Sequence, residues 1–399
     1  MPGPMQGIRV VEIGVWVAGP SAAGILCDWG ADVVKIEPPE GDPFRGLLAG
    51  FGDPTSTPPP FEIDNRGKRS IALNLRTEQG VAIAKRLIDG ADVFVTNMRP
   101  GGIARMGLDY DSLRERNPRL IYAQVTGYGL GSPDEDRASF DVGAYWARSG
   151  IAAALTSPGA DLPLQRGGMG DHTTGSQAAG AVAAALFARE RNGEGQLVTA
   201  SLVRTGVYTL AWDLNTALRT GEAPQPIQRD AFPNPLILSY QVQGGAWIWL
   251  LMLQGDRHWP DFCRAVEHEE WMQDARFGSL LDRGINAAAL IHEIEQVLAE
   301  RSVEQWAQIF DRENIWWAPV QSLAQVVADP VIERSGAWVD VPLAEGMVKM
   351  VASPVDFHGT PWAPTGGAPE LGQHTEEVLL ELGYDWDGIG ELKDAGVLP

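Results

Sequence analysis

The stretch IRVVEIGVWVAGPSAAGILCDWGADVVKIE (8–37) decides the fold. It opens on a short β-branched run, IRVVEIG (8–14), and closes on a second, DVVKIE (32–37). Between them PSAAGILCDWG (20–30) reads as a helix, with Pro20 in its first turn and Gly30 at its C-terminal end. Strand, helix, strand is a βαβ unit, and the pattern continues outward. SIALNL (70–75) and DVFVTN (92–97) are further strands, with the helix TEQGVAIAKRLIDG (77–90) between them. RLIYAQVTGYG (119–129) and QLVTASL (196–202) add two more, separated by an Ala/Gly-rich helix over 172–190. The alternation predicts an α/β fold around a largely parallel sheet.

Past a helix over 203–219 the texture changes. TGEAPQPIQRDAFPNP (220–235) reads as a linker, and LSYQVQGGAWIWLLML (238–253) as a hairpin turning at Gly244–Gly245. The stretch 256–312 is mostly amphipathic helix, and TEEVLLELG (375–383) is a late helix. The implied division is 1–220, 225–330 and 331–399.

With 399 residues, 44% of them hydrophobic, the chain can bury two or three cores. No run approaches the ~20 apolar residues of a membrane span, and the N-terminus carries no signal-peptide pattern. The net charge of −21 argues against nucleic acid or an anionic membrane as the main partner. Two distant cysteines fit a reducing cytoplasm, and six scattered histidines show no metal-ligand spacing.

Three segments carry chemistry. The first turn could hold a dinucleotide, with Glu37 on a ribose. However, its glycines fall at 14, 19 and 24, and Pro20 removes an N–H that a phosphate would use, so a plain βα turn is the better reading. In the second, DNRGKRS (64–70) and NMRPGGIARMG (97–107) concentrate Arg66, Lys68, Arg69, Arg99 and Arg105 near strand ends, a cation set suited to a phosphate-rich ligand or to solvated turns. In the third, GGMGDHTTGSQAAG (167–180), Asp171 follows Gly167, Gly168 and Gly170 at the start of a narrow helix. An aspartate there is either a helix cap or a carboxylate placed for reaction beside free N–H groups.

Several blocks together resemble the family III CoA-transferases, the CaiB/BaiF family related to formyl-CoA transferase and containing α-methylacyl-CoA racemase. They are residues 7–45, NRGKRSIALNL (65–75), residues 96–129, GDHTTGSQAAGAVAAAL (170–186), GEGQLVTASL (193–202), WAPVQSLAQVVADP (317–330) and LGQHTEEVLLELGY (371–384). The resemblance implies a Rossmann-like large domain formed by both chain ends, a smaller α+β middle domain, and an interlocked homodimer. It implies that Asp171, in the GDxxTG block, is the nucleophile, forming first an aspartyl anhydride and then an aspartyl-CoA thioester. CoA, the substrate rather than a resident cofactor, would meet Val17, Ala18, Arg66, Lys68, Arg69, Asn97, Met98, Arg99 and Arg105. Small carboxylic acids would be the partners.

The racemase branch carries a histidine in the segment matching ASFDVGAYWARSGI (138–151), and none stands here, which favours CoA transfer over α-proton transfer. QRDAFPNPL (228–236) lacks the glycine run of oxalate-handling members. FDVGAYWARSG (140–150) instead resembles members acting on 2-hydroxyacyl and arylacyl esters, with Asp141, Tyr145, Trp146 and Arg148 as candidate acyl-pocket residues or plain packing.

Overall fold

The computed structural model describes residues 3–51, 58–344 and 346–399. Six parallel strands form one sheet in the order β3-β2-β1-β4-β5-β6: β1 (Arg9–Ile13), β2 (Asp32–Glu37), β3 (Arg69–Ala72), β4 (Val93–Thr96), β5 (Ile121–Thr126) and β6 (Gln196–Ser201). The fold is α/β. The order reverses direction between β1 and β4, and the turns leaving those two strands open a crevice at their C-terminal ends. Strands β4 and β5 are buried throughout, as both faces of a parallel sheet require.

The helices that shape this edge are α1 (Ala18–Asp28), α2 (Pro59–Asn65), α3 (Glu78–Asp89), α4 (Pro100–Arg105), α5 (Tyr110–Arg116), α6 (Ile151–Ala154) and α7 (Met169–Asn192). Thr77 caps α3 by accepting from Gly80 N–H, which sets its start. Small residues let α1 and α7 approach closely. A Cβ on Gly175 would stand 2.0 Å from Ser21 Oγ and 3.1 Å from the Ala18 carbonyl. The helix expected over 203–219 is broken at Leu210 into α8 (Leu202–Thr209) and α9 (Ala211–Thr220).

The backbone divides into two compact units. The first comprises Met1–Leu155, Leu162–Pro224 and Gly336–Pro399, the second Thr156–Asp161 and Gln225–Ser335. In the second unit, β7 (Ser239–Gln241), β8 (Trp247–Leu250) and β9 (Trp317–Val320) form an antiparallel sheet. Gly244 and Gly245 take φ of 85° and 83° in the β7–β8 turn, where a Cβ would be strained. Trp306, Phe262, Phe310 and Leu290 are buried in its core.

Buried charge organises the first unit. Register places Glu12 of β1 beside Lys35 of β2, and Lys35 Nζ donates to Glu12 Oε1 at 2.8 Å, to the Gly14 carbonyl at 3.0 Å and to Asp42 at 3.1 Å. Lys68 Nζ donates to the other Glu12 oxygen at 2.6 Å. Arg66 forks onto Asp28 at 2.9 and 2.6 Å and donates to the Val351 carbonyl at 2.8 Å, tying the C-terminal segment to α1.

Candidate active site

A cleft of about 420 Å³ opens at the switch point between β1 and β4. Its floor is the turn after β1. Trp16 there adopts φ of 63°, costly for a bulky side chain, and its N–H donates to Asp42 at 3.0 Å. Asn97, at the end of β4, grips the same turn twice, accepting from Val15 N–H at 3.0 Å and donating to the Val15 carbonyl at 2.7 Å. Gly19 lets this amide approach, since a Cβ there would lie 3.0 Å from Asn97 Cγ. Phe140 meets Trp16 edge-on with ring centroids 5.5 Å apart.

Asp171 lines this cleft together with Ala18, Asn97, Met98 and Arg99. It stands third in α7, which begins after Gly168 at φ of 77°. It is not a cap. Gly168 is the N-cap, and the Gly170 N–H is taken at 3.2 Å by Asp141, which also accepts from Gln165 at 2.8 Å. Among the described residues no hydrogen bond reaches the Asp171 carboxylate. Burial pushes its pKa up to about 7, with the Asp141 charge adding to the rise and His172 opposing it. Gly170 makes the placement possible, because a Cβ there would strike Tyr145 Cγ at 2.5 Å.

The remaining candidates lie elsewhere. Val17 is buried beside Phe44 and Phe61. Arg105 is exposed at the end of α4, outside the cleft. Arg66 and Lys68 are 1% and 2% exposed and spent on Asp28 and Glu12, and Arg69 forks onto Asp32 and reaches Glu377 and Glu381. The cations expected to meet phosphate in the NRGKRS loop are thus paired within the chain, with carboxylates at distant positions that spacing does not reveal. Glu37 is likewise unavailable to a ribose. Despite burial, Arg45, Lys35 and Ser70 draw its carboxyl down to about 2.

Asp141 acts on the helix start rather than in the cleft wall. Tyr145 and Trp146 are buried, the indole N–H of Trp146 donating to the Pro163 carbonyl at 3.1 Å. Arg148 is exposed, pairs with Asp134 and lies over the Tyr128 ring at 4.8 Å. These three are packing and surface pairing, not cleft lining. Sequence reasoning missed Trp16, Phe140 and Arg137, which do line the cleft. Only the position of Trp16, just after β1, offered a signal for them.

Relatives share this architecture. The chain is 32% identical to an (R)-2-hydroxy-4-methylpentanoate CoA-transferase of Clostridioides difficile over 99% of both proteins. It is 31% identical to a cinnamoyl-CoA:phenyllactate CoA-transferase of Clostridium sporogenes, over 98% of this chain and 97% of that one. The crystal structure of a CAIB/BAIF family protein from Brucella suis superimposes with a TM-score of 0.84 at 30% identity, covering 96% of this chain and 100% of that one. Residues 5–375 match the model of CoA-transferase family III, and the chain belongs to that family.

Proposed function

We propose that Asp171 is the nucleophile that carries CoA from an acyl-CoA thioester to an acceptor carboxylate. The supporting observation is a carboxylate at a helix N-terminus, without a hydrogen bond among the described residues, in a cleft at the sheet's switch point. An Asp171 oxygen attacks the thioester carbonyl. A C–O bond forms, the C–S bond breaks, and CoA leaves as thiolate. The thiolate then attacks the Asp171 carbonyl of the mixed anhydride, releasing the donor acid and leaving an aspartyl-CoA thioester. The acceptor carboxylate repeats the sequence in reverse, which regenerates free Asp171. Covalent catalysis divides one exchange into steps between activated carbonyls. A carboxylate is a weak nucleophile, so placement and helix N–H groups carry most of the acceleration.

In this reading CoA runs along Ala18, Asn97, Met98 and Arg99 and beyond the cleft toward Arg105, while Val17 packs beneath the turn. Arg99 and Arg105 meet phosphate, while Arg66, Lys68 and Arg69 hold the scaffold. The Trp16–Phe140 pair suits an apolar acyl side chain, like those in the names of the two relatives above. For α-proton transfer no histidine stands beside Asp171 in the cleft: the His172 ring is bonded to Asp64. The enzyme acts as a cytoplasmic homodimer. α9 has no buried residue, and Trp212 and Leu218 on it are 88% and 85% exposed, an apolar face that a second copy covers.

Incubation with a panel of acyl-CoA esters, followed by hydroxylamine or borohydride and mass spectrometry, is expected to mark the peptide containing Asp171. The Asp171→Asn protein is expected to stay unmarked. An unmarked wild-type protein across the whole panel refutes the assignment.

A further inference from the structure

His172 follows Asp171 in the first turn of α7, and consecutive helical residues point about 100° apart. Asp171 faces the cleft. His172 faces a second cavity of about 420 Å³, walled by Ser21, Asp64, Arg66, Ser176 and Ser353. Its Nε2 lies 3.1 Å from Asp64 Oδ1. Asp64 lies in the last turn of α2 and is 2% exposed, and its Oδ2 finds no partner among the described residues. The imidazole is 44% exposed, so water reaches one side of it.

The charged groups facing this pair are Asp171 from α7, Asp141 from the segment before it, Lys68 from the loop before β3 and Glu12 from β1. Arg66 in the cavity wall is spent on Asp28. Burial holds the Asp64 carboxyl above its ordinary range, against the pull of His172. On His172 burial acts downward, but the Asp64 hydrogen bond and the surrounding carboxylates outweigh it and raise the imidazole. Both directions favour a proton held between the two groups, along the 3.1 Å contact.

We propose that His172, held by Asp64, is a positioning residue for the nucleophile: the proton shared by this pair leaves no bare buried anion behind Asp171 and so favours the Asp171 carboxylate at neutral pH. This rests on Asp171 being the nucleophile. Replacing the imidazole by an amide removes the partner of the shared proton and leaves the Asp64 carboxylate to repel Asp171.

The test is the pH dependence of the rate at which acyl-CoA modifies Asp171, read by trapping and mass spectrometry beside thermal unfolding. His172→Gln is expected to move the acid midpoint upward by about 0.5–1 pH unit, leaving the alkaline plateau within about threefold. The double variant His172→Gln/Asp64→Asn, which removes both charges, is expected to return the midpoint toward wild type. His172→Lys, which keeps a cation, is expected to hold it there. An unmoved midpoint in His172→Gln, or an equal shift in all three, overturns the proposal. A wild-type protein that never forms the adduct fells the nucleophile assignment, and this inference with it; an adduct whose midpoint ignores His172 fells this inference alone.

Discussion

Asp171 titrates at an ordinary 3.8 when exposed and at about 7 in the fold. Its proton is therefore bound more tightly in the folded protein. The stability this gives is fully present below pH 4 and is lost as pH climbs through 7. Reaction needs the ionised form, so the rate of adduct formation is expected to rise with pH through about 7 and then level off. Function and stability thus pull in opposite directions at this residue. Asp171→Asn is expected to abolish the adduct while raising stability at pH 8 by about 1–2 kcal/mol, an advantage that vanishes toward pH 4 in thermal unfolding. The cations separate in the same way. Arg66→Met strands Asp28 and is expected to cost about 3–5 kcal/mol, with the KM for a CoA ester little changed in whatever folds. Arg99→Ala is expected to raise that KM about 5- to 50-fold with an unchanged melting temperature.

Among the elements, α7 is the one whose start matters most. Its first turn rests against Tyr145, and the contact allows only glycine at position 170. Gly170→Ala is expected to cost about 1–3 kcal/mol in unfolding and to slow adduct formation at least about tenfold, because the helix start and Asp171 with it must shift. The element pattern was legible because β-branched runs and glycine stops are local signals. The strand reading DVFVTN (92–97) lies on β4, Val93–Thr96. The role of the NRGKRS loop was not legible, because Glu12 and Asp32 come beside it through sheet pairing and Asp28 through the packing of α1. The cap question at Asp171 was equally closed to sequence. The helix starts earlier than a cap at Asp171 requires, with Gly168 as N-cap, and Asp141, thirty residues before Asp171, accepts the Gly170 N–H in the first turn.

At the scale of the whole molecule, the exposed face of α9 bears on assembly. Light scattering of the intact protein is expected to give twice 43.1 kDa, and Trp212→Asp with Leu218→Asp is expected to halve that mass or to precipitate the chain. That such a face exists was not visible in the sequence, where 203–219 reads only as one helix. The fork of Arg66 onto Asp28 and Val351 has a consequence in time. It joins residues 285 positions apart. At about 5–20 residues per second, a ribosome needs roughly 15–60 s to travel from one to the other. Throughout that interval the nascent first unit lacks its last fastening, so newly made chain stands open to chaperones and proteases until its C-terminal segment emerges.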